Sequence, residues 1–306
     1  MFKIISLLLL FVFCGLNISF AEDGPISALF SDSDQEYASQ PDLSQADVYF
    51  NEGFAYKNNG ELDLAISKYT KAIELDPNHA KAFNNRGNIY LIKGDFSKAL
   101  LDFDRAIALD TNYAKAYANR GLVYAHREEF SEAIIDFTKA LELNPTLAEV
   151  YNNRGLAYAY KGILSSAIAD LNKAIEIEPA YSDAYYNRGL AYFNAGSLNQ
   201  AIFDFNKVIQ ANPNMAEAYN NRGLAFTYLG VLSESVADYT RAIEIDSKFA
   251  DAYKNRAVDY YFMRKYDLAA QDARMAKELG EPLDDEFLKD LTSVSHRKKW
   301  TLGLWK

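Results

Sequence analysis

The chain has 306 residues, a formal net charge of -10 and an apolar fraction of 49%. That length has room for two ordinary domains, and the composition is globular. The acidity argues against nucleic acid as a partner, because binding to phosphate backbones rests on Lys and Arg displacing counterions. The aromatic residues are skewed to 22 Tyr and 19 Phe against 2 Trp.

Residues 1–21 read as an export signal that is not part of the fold. Lys3 gives a short positive start, Ile4 to Phe13 is apolar apart from Ser6, and Ser19-Phe20-Ala21 offers small residues at a cleavage site before Glu22. The apolar run is short for a bilayer span, and the bulky Phe11-Val12-Phe13 argues against lipidation of Cys14. Cleavage after Ala21 removes the single Cys, so the mature chain is expected to have no disulfide and no stable membrane insertion. Its expected location is periplasmic or secreted. Residues 22–43 are acidic and Ser-rich, the composition of a disordered linker. Ser44 followed three later by Asp47 is a helix start.

A fixed period then takes over. Asn-Arg-Gly recurs at Asn85, Asn119, Asn153, Asn187 and Asn221, with variants at Asn51-Glu52-Gly53 and Asn255-Arg256-Ala257, every step being 34 residues. A period of this length signals stacked repeats. An aromatic lies four before each Gly position (Tyr49 and Phe83 in the first two repeats) and another three after it (Tyr56 and Tyr90). These sets are two helical turns apart, share a helix face and account for the Tyr excess. A small residue lies twelve after the Gly position, Ala in six repeats and Ser235 in the sixth. An aromatic or Leu lies sixteen after it, except for Ala273 in the seventh.

Each repeat therefore reads as two helices. In the first, helix A runs from Ala46 to Asn59 and helix B from Leu62 to Leu75. Gly60, Gly94, Gly162, Gly196 and Gly230 end helix A, where positive φ is cheap. Pro77, Pro145, Pro179 and Pro213 follow helix B, which they cannot continue. The mid-helix Gly is expected where the two helices cross, small residue against small residue, with aromatics above and below.

These residues resemble the signature of the tetratricopeptide repeat family. The resemblance covers seven repeats, 46–79, 80–113, 114–147, 148–181, 182–215, 216–249 and 250–283. It implies an all-α fold, a right-handed α-solenoid superhelix with helix A on the concave surface. Residues 284–306 are expected to form a capping helix, through Phe287, Leu288 and Leu291, and a basic tail with Trp300 and Trp305.

Two sets of repeated polar residues need a reason. Repeats two to seven carry Arg just before the Gly position and Asp sixteen later, as in Arg86/Asp102, Arg120/Asp136 and Arg154/Asp170. The first repeat has Glu52 and Lys68 instead. Both signs invert together, which points to a structural pair. The second set is Asn in all seven repeats: Asn51, Asn85, Asn119, Asn153, Asn187, Asn221 and Asn255. Asn is an indifferent helix former. One reading is packing between adjacent helices. The other is a ladder of amides for an extended peptide backbone, a use the resemblance implies in some superhelical members.

Neighbouring positions vary as specificity positions should, among them Phe50, Asn84, Ala118, Asn152, Tyr186, Asn220 and Lys254. Tyr160, Phe193, Tyr228, Tyr261 and Phe262 add aromatic contact area near the end of helix A. The second residue of each repeat is Asp47, Lys81, Lys115, Glu149, Asp183, Glu217 or Asp251, so the face is expected to turn from basic to acidic along the chain and to suit a basic segment in the later repeats. The family's carboxylate clamp is incomplete: Lys81, Asn85, Asn88 and Lys115 match parts of it, but Phe50 or Asn84 stands where Lys is needed.

Catalysis is not expected. His79, His126 and His296 form no spaced metal motif, and the sequence has no phosphate loop or serine elbow. No cofactor is expected. The expected function is a scaffold that binds one or more proteins through peptide segments, with a carbohydrate-binding module of the cell envelope as the alternative.

Overall fold

The computed structural model describes residues 44–281, 283–284, 287–291 and 293. The expected signal, linker and basic tail lie outside them. Seven helix pairs follow in order: α1 (Gln45–Asn58) and α2 (Leu62–Leu75), α3 (Ala80–Ile92) and α4 (Phe96–Leu109), α5 (Ala114–His126) and α6 (Phe130–Leu143), α7 (Ala148–Tyr160) and α8 (Leu164–Ile177), α9 (Ser182–Asn194) and α10 (Leu198–Ala211), α11 (Ala216–Tyr228) and α12 (Leu232–Ile245), α13 (Ala250–Phe262) and α14 (Tyr266–Glu278). The chain divides into an N-terminal unit that ends at Ile177, with α1 to α8, and a C-terminal unit that begins at Glu178, with α9 to α14. Within each unit every helix packs on the next, as in an α-solenoid.

Local chemistry sets the helix ends. Ser44 and Asp47 form a capping box at the start of α1, the Ser hydroxyl accepting from the Asp47 amide at 3.1 Å. Helix A ends in a Schellman motif. In the first repeat, the Gly60 amide donates to Lys57 and the Glu61 amide to Tyr56, with Gly60 at φ 79°. Repeats three and seven place Glu128 and Arg264 in the same left-handed conformation. Helix B ends in a different device. The side chains of Asp76, Asp110, Asn144, Asn212 and Asp246 accept from the backbone amide two residues on, at 2.9–3.1 Å. The bond persists where Thr111 and Ser247 replace the following Pro, so the Asx turn, and not the proline alone, closes the repeat.

The glycine of helix A has a partner other than the expected one. A Cβ on Gly87 would meet the Phe103 ring at 2.7 Å, and one on Gly121 would meet Phe137 at 2.7 Å. The space left by the missing side chain holds the helix B aromatic itself. The aromatics do not merely fill the gaps on either side of the crossing. Repeat seven shows the complementary solution. Ala257 has the Cβ and Ala273 lacks the ring, and both are buried in one cluster with Leu283, Phe287 and Leu291. Residues 287–291 are helical and cover the end of the C-terminal unit.

Candidate functional site

The Arg/Asp pairs close within each repeat. Arg86 donates to both Asp102 oxygens at 2.8 Å through Nε and Nη2. Arg120 and Asp136 meet at 2.7 and 2.8 Å, as do Arg154 and Asp170. The third nitrogen of the fork reaches back to helix B of the preceding repeat: Arg86 to Thr70, Arg120 to Asp104, Arg154 to Thr138, and in the C-terminal unit Arg222 to Asn206 and Arg256 to Thr240. One guanidinium thus ties three helices, a geometry that Lys cannot reproduce. Aromatic faces flank it, Arg120 lying 5.7 Å from the Tyr117 ring and 6.0 Å from that of Tyr124. Burial pushes the Asp102, Asp136, Asp204 and Asp238 carboxyls up, against the opposing pull of their Arg partners.

The first repeat keeps this arrangement with its polarity reversed. Lys68 of helix B pairs with Glu52 at 2.5 Å and lies 5.2 Å from Tyr49 and 6.0 Å from Tyr56. The cation arrives from the other helix but occupies the same space between the two rings.

The asparagines split by burial. Asn85 and Asn119 are fully buried, while Asn51, Asn153, Asn187, Asn221 and Asn255 are half-buried. Their amides form relays between neighbouring repeats. Asn119 donates to Asn84 at 2.9 Å, Asn84 to Asn85 at 3.3 Å, and Asn85 to the Tyr69 hydroxyl at 3.5 Å. The C-terminal unit repeats the pattern: Asn255 to Asn220 at 3.0 Å, Asn220 to Asn221 at 3.3 Å, Asn221 to the Tyr186 hydroxyl at 3.0 Å. Asn152 donates to Asn153 at 3.3 Å. The Asn51 Oδ1 is buried with no hydrogen-bond partner among the described residues. These bonds give the repeated Asn a role in joining repeats.

Burial corrects the expected specificity positions. Phe50, Asn84 and Ala118 are 0% exposed and Asn152 is 4% exposed. In the N-terminal unit the variation there reflects packing at repeat junctions, with Phe50 stacked on His79 at 4.9 Å. In the C-terminal unit the equivalent Tyr186 is half-buried. Burial pushes its hydroxyl up to about 12, so it remains protonated as the Asn221 acceptor. Phe193 meets Tyr228 edge to face at 5.4 Å, and Tyr160 stacks on Phe130 at 4.7 Å within the N-terminal unit. Asp183 and Glu217 are exposed and have no ion partner among the described residues. Asp251 pairs with Lys254, which also contacts Glu281. The helix A face of the C-terminal unit thus combines half-buried aromatics with surplus carboxylates. An open hollow lies elsewhere, beside the exposed Phe203 of helix B, with Arg188, Tyr192 and Gln200 on its walls.

Among the described residues no three His, Cys, Asp or Glu come close enough to hold a metal ion. Nor is any described helix long and apolar enough to cross a membrane.

Comparison with known proteins finds the same kind of repeat. Models described as tetratricopeptide repeat match residues 46–79, 68–100, 114–147, 182–215 and 216–249, and one described as TPR repeat matches 87–127 and 157–196. The seventh repeat lies beyond these segments. A search of curated proteins gave no match. Among solved structures, YrrB, described as a TPR protein with an unusual peptide-binding site, is 27% identical with a TM-score of 0.54, covering 60% of this chain and 95% of its own. MamA is 31% identical with a TM-score of 0.51, covering 54% of this chain and 96% of its own. A tetratricopeptide repeat protein from Parabacteroides merdae shares the fold at 21% identity and a TM-score of 0.59, covering 82% of this chain and 98% of its own. The fold is a scaffold typical of protein–protein interaction. The uninterrupted 34-residue register, the helix pairs built on it and the matching family models show that this chain belongs to the tetratricopeptide repeat family.

Proposed function

We propose that this chain is an exported, non-enzymatic scaffold that holds an extended segment of a partner protein against its helix A face, and that the segment held by the C-terminal unit is basic. The observation that carries this reading is the pair of exposed carboxylates, Asp183 and Glu217, on the two helices that also carry Tyr186, Phe193 and Tyr228. The core needs neither charge, and together they suit a Lys- or Arg-bearing segment with apolar contacts. The peptide-binding site named for YrrB supports the same reading. In the C-terminal unit the half-buried ladder member Asn187 adds an amide contact to the peptide backbone.

The test is fluorescence anisotropy of the full chain with Lys-rich and Glu-rich peptides of equal length. The Lys-rich peptide should bind more tightly, and its affinity should fall with salt. Changing Asp183 and Glu217 to Asn should weaken it about tenfold while leaving thermal stability within roughly 0.5 kcal/mol. Equal binding of both peptides would overturn the charge assignment, and no binding of either would overturn the groove itself. An N-terminus at Glu22 in protein from the native host, read by mass spectrometry, tests export.

A further inference from the structure

One position in the C-terminal unit breaks the repeat with no opposite charge to balance it among the described residues. Two residues after the Gly position, the first six repeats place Ala55, Ile89, Val123, Ala157, Ala191 and Ala225. Repeat seven places Asp259 there, and it is 0% exposed. Two hydroxyls meet it. Ser235 stands where six repeats have Ala, and Thr227 lies on α11 of the preceding repeat. The Thr227 hydroxyl contacts both Asp259 oxygens at 2.9 and 3.1 Å, and the Ser235 hydroxyl contacts one of them. The Tyr239 hydroxyl lies 2.9 Å from that of Thr227. No Lys, Arg or His pairs with Asp259 among the described residues.

We propose that Asp259 is an acid-dependent latch between repeats six and seven: protonated, it holds the last repeat in place, and ionised, it loosens that junction. The proton inventory supports this. A neutral carboxyl can donate from Oδ2 to Ser235, whose hydroxyl can then turn to the Leu232 carbonyl at 3.1 Å, while Thr227 donates to Oδ1 at 3.1 Å and accepts from Tyr239. Every polar atom is then satisfied without a charge. An ionised carboxylate has the two hydroxyl donors but no cation, in a site closed to water, where an unpaired charge is costly. Several other ionisable groups on the packed helices are engaged or stay neutral. Asp238 is tied to Arg222, Asp272 to Arg256, and Lys254 to Asp251 and Glu281. Tyr261 donates to Asp290, and burial keeps the Tyr228 and Tyr239 hydroxyls protonated.

Burial pushes the Asp259 carboxyl up to about 6, while donation from Ser235 and Thr227 pulls the other way. In the folded state it keeps its proton to higher pH than in the unfolded chain. Stability at this junction therefore falls as pH rises from the ordinary carboxylate range to about 6, and is level above that. Repeat seven has a neighbouring repeat on one side only, so a weaker junction acts on that repeat and its cap. Asp251, Tyr261 and Phe262 belong to this repeat, so the latch also gates one end of the helix A face, a consequence that rests on the peptide-binding reading.

Hydrogen exchange of the full chain at pH 5 and pH 7, corrected for intrinsic rates, tests the latch without any partner. Opening of α13 and α14 should increase about tenfold from pH 5 to pH 7 in the wild type. Asp259→Asn and Asp259→Ala should abolish that difference. The Ala variant restores the residue found at this position in four other repeats, so it should fold. The same pH response in the wild type and both variants, or none in the wild type, would overturn the proposal.

Discussion

The two units use the same fasteners but answer acid in opposite ways. The N-terminal unit holds His79 and His126, and burial lowers the pKa of both imidazoles. His79 is 8% exposed, with its Nδ1 accepting from the Ala82 amide, and Asp47 and Asp76 offset only part of the burial. The C-terminal unit holds Asp259, which burial shifts up. A lowered His binds protons more weakly folded than unfolded, so the N-terminal unit loses stability as pH falls below the ordinary imidazole value. A raised Asp does the reverse. The repeated carboxyls, Asp102 and Asp136 in one unit and Asp204 and Asp238 in the other, are shifted in the same direction, so the contrast between the units comes from the few residues that depart from the repeat.

Departures also differ in whether they are compensated. Glu52 with Lys68 and Ala257 with Ala273 each change two partners together and keep the joint intact. Asp259 comes with Ser235, whose hydroxyl meets it, but with no opposite charge among the described residues. The strongest way to break this comparison is to unbalance a compensated pair. Arg120→Glu leaves the buried Asp136 facing a like charge, and should destabilise the chain by about 3 kcal/mol in urea unfolding. Adding Asp136→Lys copies the first repeat and should recover a large part of that loss. A double variant no more stable than the single one would show that the first repeat's swap is coincidental.

A smaller effect is expected at the glycine. Gly121→Ala drives a Cβ into the Phe137 ring and should cost about 1–3 kcal/mol. In a Phe137→Ala background the same change should be neutral or stabilising by up to about 1 kcal/mol, because Ala favours the helix once the clash is gone. Thermal melts of the four proteins give the coupling directly, and additive effects would separate Gly121 from Phe137. The acid response should be smallest and is sharpest as a difference in sign. Between pH 7 and pH 5.5, hydrogen exchange should quicken in α3 and slow in α13, relative to intrinsic rates. His79→Gln should remove part of the first change and leave the second. Parallel changes in both helices would mean that a shared process dominates.

Much of this architecture was legible in the sequence because a period of 34 is a statement about contacts. The seven helix pairs, the left-handed Gly ends and the Arg120/Asp136 spacing of sixteen all sit at fixed offsets. The Asx turns were legible too, in Asp76, Asp110, Asn144, Asn212 and Asp246, although the neighbouring prolines draw more attention. What the period cannot give is how adjacent repeats face one another. The bond from Asn119 to Asn84 spans 35 residues and not 34. A constant Asn is thus satisfied by a variable neighbour, and constancy alone does not separate joining from binding. Asp259 was illegible for a related reason: a lone carboxylate in a helix reads as a surface residue until its burial is known.

The three-way reach of the Arg fork has one more consequence. Arg86, Arg120 and Arg154 each find an acceptor in the repeat before them, and the acceptor is Thr70, Asp104 or Thr138. These side chains differ, yet any of them can receive the same nitrogen. If residues 114–147 were excised, Arg154 would meet Asp104 in place of Thr138, and the seam would close with a bond already used elsewhere in the molecule. Seams of this kind are interchangeable. Such a chain can lengthen or shorten by whole cassettes, through duplication or loss of 34 codons, without designing a new joint each time.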